Sequence, residues 1–256
     1  MWRKIGTLAR CSVLEAVRGR LLLLLGMVVL GAWLLARLAG AAAVTESAAI
    51  TTAFLAACLR GAGVFLIALF VASSVARELA DKGADLVLSL AVPRYVYYCG
   101  KILGYALVAF IGAAVFGAAM AFHAPPAQAA LWAASLYCEM LIIVALALLC
   151  MFTFSQVTAA LSAVAAFYIL ARVIDAIQLM GRGPLVDPDA WSQKVMAAAV
   201  DALAYLLPEL YRYTPSEWLV YGEASATALA PIVGQTAIYI TVLIGAGLFD
   251  LYRKNF

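Results

Sequence analysis

The side chains in this sequence that could do chemistry are few, and they are mostly carboxylates and cations near the ends of apolar runs. Glu139 is the only carboxylate well inside such a run. An ionisable side chain in an apolar run is costly and marks a candidate functional site. Glu139 could line a polar path, or it could bond a neighbouring helix through Tyr137 or Tyr168. Arg172 and Asp175 are three residues apart, which predicts an ion pair on one helix face, with interfacial anchoring as the alternative.

The sequence offers little material for catalysis or metal binding. His123 is the only histidine, and it stands beside Pro125 and Pro126 without a cysteine or carboxylate cluster near it. The five cysteines are scattered, with no CxxC pair, and we interpret them as structural thiols. No GxxxxGK[ST] loop is present to bind the phosphates of ATP. We therefore predict no catalytic residues, no metal and no cofactor in this chain, and an intramembrane enzyme is an unfavoured alternative.

The composition places these residues in a membrane. Hydrophobic residues make up 67% of the 256 residues and charged residues only 12%. A hydrocarbon layer of ~30 Å needs roughly 20 apolar residues of helix to cross it. The sequence therefore predicts one all-α membrane domain, residues 1–256, with six transmembrane helices. The apolar runs that predict them are 21–38, 53–76, 102–122, 129–154, 157–174 and 227–251.

The distribution of lysine and arginine predicts which side of the membrane each connection faces. Residues 1–20 predict an amphipathic helix in the membrane surface, with a charged extension of the first transmembrane helix as the alternative. If the amino terminus is cytoplasmic, eleven of the 17 lysines and arginines lie in cytoplasmic segments and six outside. Because basic residues are retained on the cytoplasmic side, we predict that both termini are cytoplasmic.

Two connections are longer than a turn, and they fall on opposite sides of the predicted membrane. The first, residues 77–101, is here called the coupling segment. Its apolar residues Leu79, Leu86 and Leu90 predict a short amphipathic helix that ends before Pro93, with a solvated loop as the alternative. The second, residues 175–226, is called the outer segment. Its four prolines and its apolar stretch 195–207 predict a re-entrant or surface-lying helical hairpin.

The coupling segment resembles a known family. Glu78, Gly83, the apolar run 86–92, Pro93-Arg94, Tyr97 and Lys101 together are similar to the signature of the permeases of ABC type-2 transporters. The resemblance extends to the amino-terminal helix, the six-helix layout and the outer segment, so it covers nearly the whole chain. The chain departs from the signature at Ala84, where the family has threonine, and in lacking a serine between Pro93 and Arg94. These departures leave the subfamily and the cargo open.

The resemblance implies a function and a set of partners. It implies a permease in a bacterial inner membrane that pairs with a second copy of itself and with separate ATPase subunits, which bind ATP and Mg. Glu139, Arg172 and Asp175 then become candidates for the translocation path. No nucleic-acid partner is expected, and the chain is expected to be embedded in a lipid bilayer. The residues implied to couple the permease to the ATPase are Arg77, Glu78, Lys82, Gly83, Asp85, Pro93, Arg94 and Lys101.

A second interpretation keeps the same fold but assigns a different function to it. The outer segment is about 50 residues long and carries aromatic residues between positions 191 and 218. Such a surface could dock an extracytoplasmic envelope protein, which the ATPase would then drive through the permease-like subunit. The cargo of a transporter cannot be chosen from these apolar helices alone.

Overall fold

The described part of the chain is built from helices. The computed structural model describes residues 2–81, 93–181 and 191–253, and within these ranges it contains no strand. The predicted all-α fold is therefore confirmed. The helices are α1 Trp2–Arg18, α2 Leu21–Ala42, α3 Ser47–Ala80, α4 Arg94–Met120, α5 Pro126–Phe154, α6 Val157–Gly181, α7 Trp191–Leu206, a 3-10 helix Leu210–Arg212, α8 Glu217–Val220 and α9 Ala226–Arg253.

Six of these helices, α2 to α6 and α9, are long and apolar enough to cross a membrane. Each contains an 18-residue window whose mean hydropathy lies between 1.8 and 2.3. The six-helix prediction is confirmed, although the helices run past the apolar stretches that predicted them. The coupling helix itself, predicted between Leu79 and Pro93, falls mostly on residues 82–92, which lie outside the described residues.

Helix α5 is the centre of the bundle. It contacts α3, α4, α6 and α9, and 78% of its most apolar window is buried. The same figure is 22% for α2, 22% for α6 and 17% for α9, so these helices lie at the periphery. Their outward faces carry large apolar side chains such as Leu30, Ile169 and Val242, each at least 60% exposed. Apolar side chains on an outer face are stable in hydrocarbon, as the membrane prediction requires.

The amino-terminal helix α1 packs closely against α4. Its buried residues Ala9, Ser12 and Ala16 form one stripe, with Gly104 of α4 opposite Ala9 and Ser12 and Gly100 opposite the neighbouring Leu8. A Cβ atom added at Gly104 would lie 2.7 Å from the Cβ of Ser12, which real side chains do not tolerate. Glycine is therefore required at this contact because the two backbones approach each other so closely.

A sharp turn separates α1 from α2. Gly19 donates a backbone hydrogen bond to the carbonyl of Glu15, and Arg20 then adopts a left-handed conformation with φ of 62°. The chain thus ends one helix and starts another, so α1 is not a continuation of the first transmembrane helix. The basic side chains of α1 are exposed, as the amphipathic pattern predicts: Arg3, Lys4, Arg10 and Arg18.

Both described chain ends lie at the same end of the bundle, which is called the terminal side. Helix α1 packs on the first half of α4, and Arg94 at the start of α4 contacts the carbonyls of Leu251 and Tyr252 at the end of α9. Thr153 at the end of α5 donates a hydrogen bond of 2.7 Å to Asp250. The terminal side therefore gathers the two helices that flank the coupling segment and both described chain ends.

The described part of the outer segment lies at the opposite side. Gln128 at the start of α5 donates a hydrogen bond of 2.8 Å to the carbonyl of Gly222 and accepts one from the amide of Ala224. The 3-10 helix and α8 lie between α7 and α9 in the chain and pack on α6, α3 and α5. Two groups of polar residues are thus held at opposite sides of one helical bundle.

Candidate functional site

The coupling segment is bounded by a buried ion pair. Glu78 in the last turns of α3 and Lys101 in the second turn of α4 contact each other through Oε2 and Nζ. Their side chains are only 18% and 9% exposed. The Lys101 ammonium also lies 5.7 Å from the centre of the Tyr105 ring, within the range of a cation–π interaction. Because a buried charge is destabilising without its partner, this pair holds α3 and α4 together on the terminal side.

A second tie joins α3 to the amino-terminal helix. The Arg77 guanidinium lies 2.7 Å from one carboxylate oxygen of Glu15 in α1. The other oxygen of Glu15 accepts a hydrogen bond of 2.7 Å from Ser74, whose hydroxyl in turn accepts one of 3.0 Å from Tyr105. This chain of contacts links α1, α3 and α4. The Arg77–Glu15 pair itself is half exposed, so it adds little stability alone and depends on ionic strength.

A third tie joins the start of α4 to the end of α9. Nη1 of Arg94 donates hydrogen bonds to the carbonyls of Leu251, at 2.9 Å, and Tyr252, at 3.1 Å. Carbonyls in the last turn of a helix have no partner within that helix, and a cation there also meets the negative end of the helix dipole. Pro93 precedes Arg94, and its carbonyl accepts the first hydrogen bonds of α4, from Val96 and Tyr97. These contacts fix where α4 begins and what it touches.

The residues Glu15, Ser74, Arg77, Glu78, Arg94, Lys101 and Tyr105 are called the terminal cluster. Five of the eight predicted coupling residues are described in the structure: Arg77, Glu78, Pro93, Arg94 and Lys101. The other three, Lys82, Gly83 and Asp85, lie outside the described residues. The resemblance implies that Glu78 and Arg94 couple the chain to an ATPase, and the structure gives both of them partners inside the chain.

Sequence reasoning missed the part that α1 plays in the terminal cluster. Glu15 is the only acidic residue in α1, on a helix that otherwise carries basic side chains. A single carboxylate on a basic amphipathic helix is a signal for a specific cationic partner, and it could have pointed to Arg77. Ser74 and Tyr105 gave no such signal, because hydroxyl side chains are common inside membrane helices.

The opposite side holds a second buried group of polar residues, centred on Glu139 of α5. The Glu139 side chain is fully buried. Its Oε2 accepts a hydrogen bond of 3.0 Å from Thr214, and its Oε1 lies 3.6 Å from the guanidinium of Arg172 in α6. Tyr168 lies close enough to interact with this carboxylate, as the sequence allowed. Tyr137 turns its ring edge-on to Phe110 instead. Glu139 therefore binds neighbouring elements rather than standing alone in an apolar helix.

The same group fixes the backbone of the outer segment. Arg172 donates hydrogen bonds to the carbonyls of Leu210 and, at 3.0 Å, Tyr213. Arg60 of α3 donates one of 3.3 Å to the carbonyl of Thr214, whose amide donates to Ser135 of α5 at 3.0 Å. Three membrane helices thus bind one short turn. Its backbone groups find partners although the turn is buried, as buried backbone groups require.

Tyr213 completes the attachment of this turn to α9. Its hydroxyl donates a hydrogen bond of 3.2 Å to the carbonyl of Ile232 and lies 3.0 Å from the hydroxyl of Thr236. Burial raises the pKa of Tyr213 to about 12, so the hydroxyl keeps its proton and remains a donor even well above neutral pH. The residues Arg60, Ser135, Glu139, Tyr168, Arg172, Tyr213 and Thr214 are called the outer cluster.

The predicted ion pair between Arg172 and Asp175 does not form in the described structure. Arg172 pairs with Glu139 on another helix, and Asp175 lies one turn further along α6, partly buried. Arg212 nearby pairs with Glu209 at 2.8 Å, and the pKa of Arg212 is raised first by the hydrogen bond that it donates to Tyr211 at 3.0 Å, then by Glu209 and least by Asp175. A translocation path along Glu139, Arg172 and Asp175 stays a prediction.

The described residues hold no ready-made metal centre. Within them, no group of three or more histidine, cysteine or acidic side chains could hold a metal ion. The five cysteines are free thiols, with Cys138 and Cys150 buried in the bundle.

Fold and clusters together define the class of the molecule: it is an all-α, multi-pass membrane protein whose polar residues are gathered at the two sides of a six-helix bundle. No protein-family model matches the chain, and no curated protein sequence matches it either.

Proposed function

We propose that this protein is the membrane-spanning permease subunit of an ATP-driven transporter of the ABC type-2 class. In this proposal the coupling segment receives force from a separate ATPase subunit, and two permease subunits enclose the path of the cargo. The observation that carries the proposal is the terminal cluster. Its contacts connect the two ends of the coupling segment, on α3 and α4, to each other and to α1 and α9.

Through these three sets of contacts, a force applied to residues 82–92 would reach the helices of the bundle. Glu78 and Lys101 connect α3 to α4, Arg77 connects α3 to α1, and Arg94 connects α4 to the end of α9. A displacement of the segment between them would move these helices as a unit instead of bending one loop. Rigid movement of packed helices is a common way for a local event to reach a distant site.

The proposal divides the coupling residues into two groups. Glu78, Lys101 and Arg94 are positioning residues, since their partners lie within the chain. Lys82 and Asp85 remain candidates for contact with the ATPase, as the sequence predicts. ATP and Mg²⁺ would be bound by the ATPase subunit, because this chain has no phosphate-binding loop.

The peripheral helices support a second subunit. Helix α9 buries only 17% of its most apolar window, and α2 buries 22% of its window. A second copy of the chain could pack against such faces in the membrane, where close packing of apolar surfaces is the main contribution to helix association. In the proposal the cargo passes at this interface.

A charge exchange tests the positioning role of Glu78. Glu78→Lys places two cations together beside Lys101, and the double variant with Lys101→Glu restores an ion pair in reversed orientation. We expect ATP hydrolysis stimulated by the permease to fall roughly tenfold in the single variant, since a coupling free energy of about 1–3 kcal/mol is lost, and to recover in the double variant. The measurement is ATPase activity of the complex in proteoliposomes.

The same preparation tests the proposed function itself. An ATPase subunit encoded beside the gene should copurify with the wild-type chain and with both variants. Stable complexes in which the double variant stays uncoupled would place Glu78 at the ATPase surface instead. Absence of any ATPase partner would overturn the proposal.

The outer segment favours a second candidate function, in which the ATPase drives an extracytoplasmic protein. The outer cluster fixes the turn at Thr214 on α3, α5 and α6, so movement of the bundle would be passed to this segment. Nearby side chains such as Tyr205, Leu206 and Tyr221 are each more than 60% exposed. Exposed aromatic residues are typical of protein interfaces. Copurification of a stable extracytoplasmic protein would favour this function over solute export.

A further inference from the structure

A pocket of about 490 Å³ opens where α1, α2 and α3 meet on the terminal side. Arg18, Arg77 and Glu15 lie at its polar end, and Leu66, Leu69 and Phe70 form its apolar part. The pocket thus joins a charged mouth to a hydrocarbon-like interior. The pocket shares Glu15 and Arg77 with the terminal cluster, but it does not include the residues that connect α4 to α3 and α9.

We propose that this pocket binds one anionic phospholipid from the leaflet on the terminal side. The phosphate would bind at Arg18 and Arg77, and one acyl chain would lie along the leucines of α3. The inference concerns the lipid surroundings of the chain and holds whether or not an ATPase partner exists.

The charge at the mouth suits a phosphate. Arg18 and Arg77 carry two positive charges and Glu15 one negative charge, so the group has a net charge of +1. The Glu15 carboxylate accepts from Ser74 as well as pairing with Arg77, which shares its charge between two donors. Guanidinium groups bind phosphate oxygens through two parallel hydrogen bonds, with greater geometric specificity than an ammonium provides.

The start of α2 adds to this attraction. Leu21, the first residue of α2, lines the pocket, so the positive end of a 22-residue helix lies beside the two guanidinium groups. Among the described side chains none caps this helix, whose N-cap residue Arg20 is in the left-handed conformation. Free amide groups and the helix dipole at such a terminus favour an anion.

The length of the pocket corresponds to one leaflet. Along α3 its lining runs from Arg77 to Leu66, a difference of eleven positions, or about 16 Å at 1.5 Å per residue. Half of a hydrocarbon core of ~30 Å is about 15 Å. Leu24 of α2 lines the pocket and is 42% exposed, so the apolar lining is accessible to a lipid chain from the surroundings.

Other occupants fit less well. A soluble phosphate would contact only the mouth and would leave the leucine walls empty. An acyl chain is the apolar group of a membrane that is both narrow and long.

Native mass spectrometry tests the proposal after extraction from vesicles with equal amounts of phosphatidylglycerol and phosphatidylcholine of the same acyl chains. We expect the wild-type chain to retain phosphatidylglycerol in preference to phosphatidylcholine. The double variant Arg18→Gln with Arg77→Gln should lose this preference by about tenfold, the effect of removing charge-assisted hydrogen bonds. The matched control is Arg3→Gln with Arg10→Gln, which removes two exposed charges of α1 outside the pocket.

A third variant, Leu69→Trp, fills the apolar part while it keeps both arginines. We expect it to lose the bound phospholipid as well, and circular dichroism with size-exclusion chromatography should show that all variants remain folded. Equal losses in the control and in the Arg18 and Arg77 variant would indicate general surface charge and overturn the proposal. Retention by Leu69→Trp, together with displacement by inorganic phosphate, would indicate a phosphate site without a lipid chain and overturn it too.

Discussion

At the scale of single residues, the structure pairs two candidate site residues with each other. Glu139 and Arg172 appear in the sequence as separate charges 33 positions apart, and the fold brings their side chains to 3.6 Å. The sequence could identify both residues because ionisable groups in apolar helices are rare. It could not predict their pairing, since Asp175 was the nearer partner along the helix and only the packing of α5 on α6 decides between them.

Substitutions of Glu139 separate its structural role from a role in transport. Glu139→Leu leaves the Arg172 charge largely buried without its counterion, and we expect the free energy of unfolding to fall by about 3 kcal/mol. Glu139→Gln also removes the counterion of Arg172, but it keeps a polar group for Thr214 and Arg172, so it should cost less than Glu139→Leu. Adding Arg172→Leu to Glu139→Leu should recover part of the loss. Denaturant unfolding in detergent micelles measures these values.

The control for these variants is Thr214→Val, which removes one hydrogen bond to Glu139 and no charge. It should cost no more than about 1 kcal/mol. If Glu139→Leu instead leaves the stability unchanged and abolishes transport, Glu139 lines the translocation path and the outer cluster is not its main role.

At the scale of helices, periodicity and hydropathy predicted the elements well but not their ends. The apolar run 53–76 became α3, Ser47–Ala80, because the polar residues before it do not interrupt a helix. Thr51 and Thr52 donate their hydroxyl hydrogens to the carbonyls of Ser47 and Ala48, one turn earlier. Such bonds satisfy the side chains inside the helix, so a polar start carries little cost.

The docking of α1 on α4 is also an element-scale feature that the sequence did not reveal. The amphipathic pattern predicted a helix on the membrane surface, and its less polar stripe packs on glycines of another helix. From the sequence alone, a glycine that packs closely against another helix cannot be distinguished from any other glycine in an apolar run. Their position in α4 acquires a meaning only from the approach of Ala9 and Ser12.

Enlarging one of these glycines should release α1. Gly104→Leu places a side chain where Ser12 and Ala9 now lie, so we expect faster amide hydrogen exchange across α1 and faster trypsin cleavage at its arginines. The control is Gly6→Leu in α1 itself, since an added Cβ there meets no described atom within 4 Å. Unchanged protection in Gly104→Leu would show that α1 is held by the membrane and not by α4.

At the scale of the whole molecule, the fold brings the basic residues that predicted the topology together on one side of the bundle. The described basic residues of α1, the end of α3 and the start of α4 gather on the terminal side, where the terminal cluster also lies. The outer segment, with the outer cluster beneath it, occupies the opposite side. The arrangement of the two sides follows from helix packing, whereas their orientation in a membrane stays a prediction from the excess of lysine and arginine.

Cysteine labelling tests that orientation with a residue the chain already has. Cys11 is exposed on α1 at the terminal side, and the other four cysteines can be replaced by alanine. A membrane-impermeant maleimide should label Cys11 only after the cells are opened, if the terminal side is cytoplasmic. Tyr221→Cys, at a position 67% exposed on the opposite side, should be labelled in intact spheroplasts. The reverse pattern would invert the topology, and the coupling segment would then face away from any cytoplasmic ATPase.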